Sequence, residues 1–340
     1  MQFTNDFKSD WERCYELFAE WWSAKNEKPM ICDVRVNEAG MNWTPLPAPE
    51  DHRAMWTDIE GTIDRAEDQM AHLEYAGCFF PHYAPTLGPG SLALFLGCSP
   101  VFSETTIWYE PCFDNISEAR AVLDPDNYWY MWTKRAMHRA MERSAGRYMV
   151  AIPDMIEGLD CAAEMIGTEK LLFAMVEQPE QVHRLLREIT DCYYQSFDEL
   201  YDIISPEHDG NSFMAFLILG KGKTSKFQSD ISAMLSPSMF DEFVVPYLTE
   251  HTKHVEYSLY HLDGPSAVVH ADSLCKIESL NAIQWVAGDG SPSAWEECWY
   301  GLYEKILRAG KGLQLSIDRA HLDGFLKRFD TKGLYVMVWG

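Results

Sequence analysis

The chain has 340 residues, of which 47% are hydrophobic, 24% charged and 13% aromatic. That globular profile excludes disordered and collagen-like classes and leaves room for one large domain or two ordinary ones. Lys plus Arg number 28 against 52 Asp plus Glu, a formal charge of −24, and such a surface repels phosphate backbones and anionic lipid.

In chain order, an amphipathic stretch at 10–26 predicts an N-terminal helix, and an apolar run at 30–34 predicts the first strand. A helical pattern at 51–75 leads to a second apolar run at 78–81. A helix predicted at 126–146, opened by Asp126, leads to a third at 148–152. The long pattern at 179–204 precedes the run at 212–217, with the short run 226–229 as the alternative strand at this point. A helix at 236–254, with proline in its first turn, then precedes a run at 256–260. The remaining runs, 282–286, 313–317 and 334–339, are separated by helical patterns at 294–309 and 320–329. Strands alternating with helices over the whole length predict a parallel sheet covered by helices. Around eight apolar strand runs fit an α/β fold of the (β/α)8 TIM-barrel type, with an N-terminal helical extension and a single domain over 1–340. No G-x-G-x-x-G follows a strand, so the dinucleotide-binding alternative lacks its fingerprint.

The nine cysteines stand singly, with no C-x-x-C pair, which predicts reduced thiols in a cytoplasmic protein. No apolar run approaches the roughly 20 residues of a membrane helix, and residues 1–10 offer no signal-peptide core. Neither nucleic acid nor membrane is an expected partner.

In a parallel barrel the chemistry sits beyond the C-terminal ends of the strands. Candidate residues there are Asp33 and Arg35, His82 and Tyr83, Asp154 and Glu157, Asp230, His261 and Asp263, Trp285 and Asp289, and Asp318. The sharpest constellation is Tyr260-His261-Leu262-Asp263-Gly264-Pro265. Positions 261 and 263 share one side of an extended segment, so imidazole and carboxylate converge on one ion or substrate. The competing reading is a histidine oriented by an aspartate that caps the next helix. His251 and His254 also have metal-ligand spacing, but Glu250, Lys253 and Glu256 around them read as a solvated helix end.

Several stretches together resemble the uroporphyrinogen decarboxylase superfamily, from about residue 29 to the end. They are Leu87-Gly88-Pro89-Gly90-Ser91-Leu92, the segment Ile152-Pro153-Asp154-Met155-Ile156-Glu157-Gly158, and Ser236-Pro237-Ser238-Met239-Phe240-Asp241-Glu242-Phe243 with Pro246-Tyr247. The segment His261-Leu262-Asp263-Gly264 and the closing Gly310-Lys311-Gly312 complete the set. The resemblance implies a TIM barrel and a homodimer. Against the decarboxylase branch, Arg35-Val36-Asn37-Glu38-Ala39-Gly40-Met41 keeps one arginine of that branch's N-terminal pair. His82 stands where the decarboxylase has its aspartate, and a charge of −24 suits a substrate with many carboxylates badly.

The methyltransferase branch carries H-x-C-G at the position of His261, with zinc on the histidine and cysteine. Here Asp263 replaces that cysteine, and no cysteine lies in 334–340. The resemblance therefore implies zinc held by His261, Asp263 and a third carboxylate, Asp230 by strand order. An oxygen-rich site suits an O- or N-methyl donor better than a thiol. The expected function is a metal-assisted methyltransferase working with a corrinoid-binding partner protein. His261, Asp263 and His82 would be its catalytic residues, and Arg35, Tyr83, Asp154, Glu157 and Trp285 would line its substrate pocket. A metal-free lyase or decarboxylase of the same superfamily, or a non-catalytic relative, is the alternative.

Overall fold

The computed structural model describes residues 3–340, which form a mixed α/β fold with thirteen α-helices among the described residues. Its centre is a six-stranded parallel sheet. From one edge to the other the strands run Met30–Asp33, Leu334–Trp339, Gly312–Asp318, Ala282–Val286, Tyr257–Asp263 and Thr224–Gln228. A separate parallel pair joins His82–Tyr83 to Met149–Val150. The strands at 282–286 and 334–339 lie where the apolar runs predict them. The run at 78–81 does not: those residues lead into the strand, and pairing begins at His82.

The closed barrel expected from the strand count does not exist as a hydrogen-bonded ladder among the described residues. The six-stranded sheet ends at Thr224–Gln228, and side chains carry the connection onward. Val150 N–H donates to His208 Nε2 at 3.0 Å, and Ile152 N–H donates to Asn211 Oδ1 at 3.2 Å. The Asn211 amide in turn donates to the Thr224 carbonyl at 2.9 Å. One asparagine thus does for two strands what a ladder would do.

Of the two candidates at this point in the chain, the sheet takes Thr224–Gln228. The other, expected at 212–217, forms one arm of an antiparallel hairpin, Asn211–Phe213 with Ile218–Gly220. Its turn lies against the inner face of the sheet, the face away from the helices. Phe213 sits 5.1 Å from the Lys226 ammonium, Phe216 packs 5.0 Å from the His261 ring, and the Leu217 carbonyl accepts from Tyr335 Oη at 2.8 Å.

Helix boundaries follow local chemistry. The stretch 51–75 divides into His52–Thr57 and Ile59–Ala71 because Asp51 and Asp58 each cap a helix, accepting from Ala54 N–H and Gly61 N–H. Ser236 caps Pro237–Phe243 as its sequence predicts, but the expected single helix breaks at Val244, and Val245–His254 follows. The helix expected to open at Asp126 is capped instead by Asn127, whose side chain accepts from Trp129 and Tyr130 N–H. Two helices, Gly158–Ile166 and Thr168–Glu177, and the hairpin Ser99–Phe102 with Ile107–Glu110 were not expected.

Alternation along the strands sorts the core into two parts. Outward residues such as Ile283, Trp285, Leu315 and Val336 join the large cluster under the helices. Inward residues at the N-terminal end of the sheet, including Met30, Leu259, Ala282 and Tyr335, pack with the helix Trp11–Trp22. That helix is fastened by its indoles: Trp21 Nε1 donates to the Gly333 carbonyl at 3.0 Å and Trp22 Nε1 to the Leu219 carbonyl at 2.8 Å. The inner face is therefore apolar and plugged at one end, which leaves its polar end for chemistry.

Removing the Asn211 bridge strands a buried N–H at Ile152 and a buried carbonyl at Thr224. Asn211→Ala is expected to lower stability by about 2–4 kcal/mol, read as a reduced urea midpoint with an unchanged slope.

Candidate metal centre

Register across the sheet builds the site. Gln228, His261, Gln284, Gln314 and Tyr335 are successive partners across five strands, and partners in a parallel sheet share a face. This row begins the polar end of the inner face. One step further along its strand, Asp263 projects on the same side as His261, as the period of two requires. Beyond the end of the neighbouring strand, Asp230 comes to meet them. Asp230, His261 and Asp263 each offer one ligand atom, and the three atoms lie within 4.8 Å of one another. Asp230 is exposed and the other two partly buried, so the cluster opens to solvent on the Asp230 side.

Each of two ligand candidates is held by an amide. His261 Nδ1 pairs with Gln284 Oε1, which fixes the Nδ1–H tautomer and leaves Nε2 as the free lone pair. Burial pushes the imidazole below its ordinary pKa, so it stays neutral. Gln228 Nε2 donates to Asp230 Oδ2 at 2.9 Å. The Asp230 backbone is positioned as well: Asp160 accepts from Asp230 N–H at 2.6 Å and from Ile231 N–H at 3.0 Å.

Behind the cluster lies a buried cation. Lys226, 3% exposed, pairs with Asp154 at 2.8 Å and donates to Gln228 Oε1. Burial raises the Asp154 carboxyl and Lys226 lowers it; the net direction is up. Burial pushes Asp160 up to about 6, with Asp230 adding to the effect. Glu157 is pushed up to about 8 by burial, against the opposing pull of Lys226.

The other expected residues are placed differently. His82 and Tyr83 line a separate cavity of about 310 Å³, with Met214 and Trp339. His82 Nδ1 lies 3.0 Å from the Phe80 carbonyl, and burial lowers its pKa to about 4. Arg35 is exposed, and its guanidinium is engaged by Asp33, which Arg319 also holds. Trp285, expected in the pocket, faces the helices, its ring 5.0 Å from Trp299, because it alternates with inward Gln284. Glu157, also expected there, is buried and accepts from Gln228 N–H at 3.2 Å; it lines a cavity of about 20 Å³ with Tyr247, His251 and Tyr260. His251 is not at a solvated helix end: it is buried among Tyr193, Tyr194 and Phe227, with its pKa lowered to about 3. His254 is held by Asp198 at 2.8 Å.

Sequence reasoning missed Lys226, Gln228, Gln284, Asp160 and Glu164. A signal for Gln284 was present, since it interrupts the apolar strand Ala282–Val286 at an inward position, whereas Lys226 and Gln228 lie in a strand that is polar at four of its five positions. Asp160 and Glu164 lie four apart on a helix that had not been recognised.

No family model matches the chain, and no curated protein matches it. Among solved structures it is similar to a methyltransferase from Methanosarcina mazei, with a TM-score of 0.63 and 9% sequence identity. The alignment covers 95% of this chain and 92% of that one. The likeness is one of fold: the two chains share an architecture through nearly their whole lengths.

The Glu157 carboxyl sets a test of the buried chemistry. Its ordinary value is 4.5 and its folded value about 8, so between those pH values the folded chain holds a proton that the unfolded chain has lost. Its contribution to stability therefore falls as pH rises through that window. Unfolding curves are expected to show the wild type losing stability relative to Glu157→Gln across the window. A constant difference would mean that Glu157 is ionised in the fold.

Proposed function

We propose that the chain is a metal-assisted methyltransferase that moves a methyl group between a small O- or N-methyl donor and the cobalt of a corrinoid-binding partner protein. The observation that carries this reading is the convergence of Asp230, His261 and Asp263 within 4.8 Å. The likeness in fold to a methyltransferase supports the same direction. We read the six-stranded sheet and the parallel pair as the two parts of a (β/α)8 barrel whose functional end bears this cluster.

The donor set fits a catalytic divalent site. One neutral imidazole nitrogen and two carboxylate oxygens match the three protein ligands of such sites, with a position left open. Nitrogen and oxygen donors without thiolate suit zinc bound for Lewis-acid work. Zinc held there would draw electron density from the donor heteroatom and make it a better leaving group. His261 would present Nε2 because Gln284 holds Nδ1, and Asp230 would keep its direction through Gln228. The exposed side of Asp230 gives the donor its approach.

His261→Ala and Asp263→Ala should each lose bound zinc, measured on protein purified without chelator, and should lose methyl transfer from a small donor to a corrinoid protein. Gln284→Ala should retain the metal at about 10–100-fold lower affinity, as loss of an outer-shell partner does. Unchanged metal content in both ligand variants, or a metal-free wild type, would remove the assignment.

A further inference from the structure

Beside the metal cluster lies a second feature that the proposed chemistry does not use. A cavity of about 550 Å³ is walled by Trp108, Tyr109, Asp160, Glu164 and Met234, and it reaches Asp230. We propose that this cavity binds an organic cation of the alkylated ammonium class, with its positive head against Glu164 and its alkyl groups against Trp108 and Tyr109. It names a substrate class for the methyl-transfer reading and rests on that reading only for the role of substrate; the binding itself does not depend on it.

Glu164 is the central observation. Its Oε2 is shut off from solvent with no hydrogen-bond partner, and its carboxylate makes no ion pair, while the side chain lines the cavity. A buried carboxyl without a partner takes up a proton, and burial pushes Glu164 well above its ordinary value, so a cation bound there would displace that proton and supply the missing charge. Lys226, the nearby cation, is committed to Asp154 and Gln228. Asp160 differs from Glu164 in being spent on two backbone N–H groups.

The wall is built to hold this carboxylate. Gly90, from the Leu87-Gly88-Pro89-Gly90-Ser91-Leu92 motif, lies so close that a Cβ there would fall 2.2 Å from Glu164 Oε1 and 2.4 Å from Oε2. Tyr109 is locked by its hydroxyl, which donates to the Leu87 carbonyl at 2.7 Å and accepts from Gly90 N–H at 2.9 Å. Its ring is thus fixed at the cavity wall. Trp108 is 67% exposed and lines the same cavity. Aromatic faces beside carboxylates are the chemistry that recognises alkylated ammonium groups, which are too apolar for carboxylates alone and too charged for aromatics alone. The charge of −24 draws such cations toward the protein.

The test is calorimetric titration of the full chain with tetramethylammonium, with choline, and with 3,3-dimethylbutan-1-ol, choline's uncharged isostere. Both cations should bind, and the isostere at least about tenfold more weakly, a difference of about 1.4 kcal/mol. Glu164→Gln, a near-isosteric change, should erase the preference for charge. Trp108→Ala, at an exposed position, should weaken cation binding while leaving the fold intact, and Gly90→Ala should reproduce the loss by displacing the carboxylate. Equal affinity for the isostere, no heat with either cation at millimolar concentration, or full cation binding by Glu164→Gln would each overturn the proposal. Competition by magnesium that is lost in Glu164→Gln would assign the carboxylate to an inorganic cation and overturn it too. The same titration on His261→Ala separates the two readings: cation binding should survive there even if no metal is ever found at the cluster.

Discussion

The polar end of the inner face depends on one buried ammonium. Lys226 lies inside the sheet, nearly inaccessible, and its charge acts on Asp154, Glu157, Asp160, Glu164 and Asp230 alike, lowering the proton affinity of each. Five carboxyls in one low-dielectric region repel one another, and without a central cation more of them would take up protons. A direct ion pair to Asp154 and a bond to Gln228 hold the ammonium in place, and Phe213 covers it. Lys226 also has the geometry of a relay. It fixes Gln228, Gln228 fixes Asp230, and Asp230 is the ligand candidate that no strand of the sheet holds directly.

The same logic of support recurs around the cluster. Gln284 lies in the strand beside His261 and holds its ring from the side, while Phe216 covers it from the hairpin. The hairpin and its turn meet the inner face at Lys226, His261, Gln314 and Tyr335, so the polar row is covered by a segment outside the sheet. Rigid strands supply direction and the hairpin supplies closure. This division explains how a cluster on strand ends can be ordered and still open to solvent.

Much of this was legible in the chain. The period of two placed His261 and Asp263 on one face, and strand order brought in Asp230 from 31 positions away, because parallel neighbours must end at the same edge. The parallel sheet was legible because most of its strands are largely apolar runs that alternate with helical patterns. The short pair His82–Tyr83 and Met149–Val150 was misjudged in extent, since a two-residue strand leaves almost no pattern. The hairpin was misread because a buried apolar run looks the same whether it pairs parallel or antiparallel. Trp285 was misplaced for a different reason: the end of a strand does not say which face a residue takes. His251 was misjudged because charged neighbours on one side of a helix say nothing about the side facing Tyr193 and Phe227.

The pairing of Met30–Asp33 with Leu334–Trp339 has a consequence for how the chain is made. The strand Met30–Asp33 finds its partner only once Leu334–Trp339 has been made, and the Trp21 indole reaches its carbonyl at Gly333 no sooner. Until then Trp11, Phe18, Trp21 and Trp22 have only part of their cover. Such distant contacts close slowly, and a nascent chain with exposed indoles is prone to aggregate. The architecture thus leaves the helix Trp11–Trp22 without its full packing until the strand Leu334–Trp339 is in place.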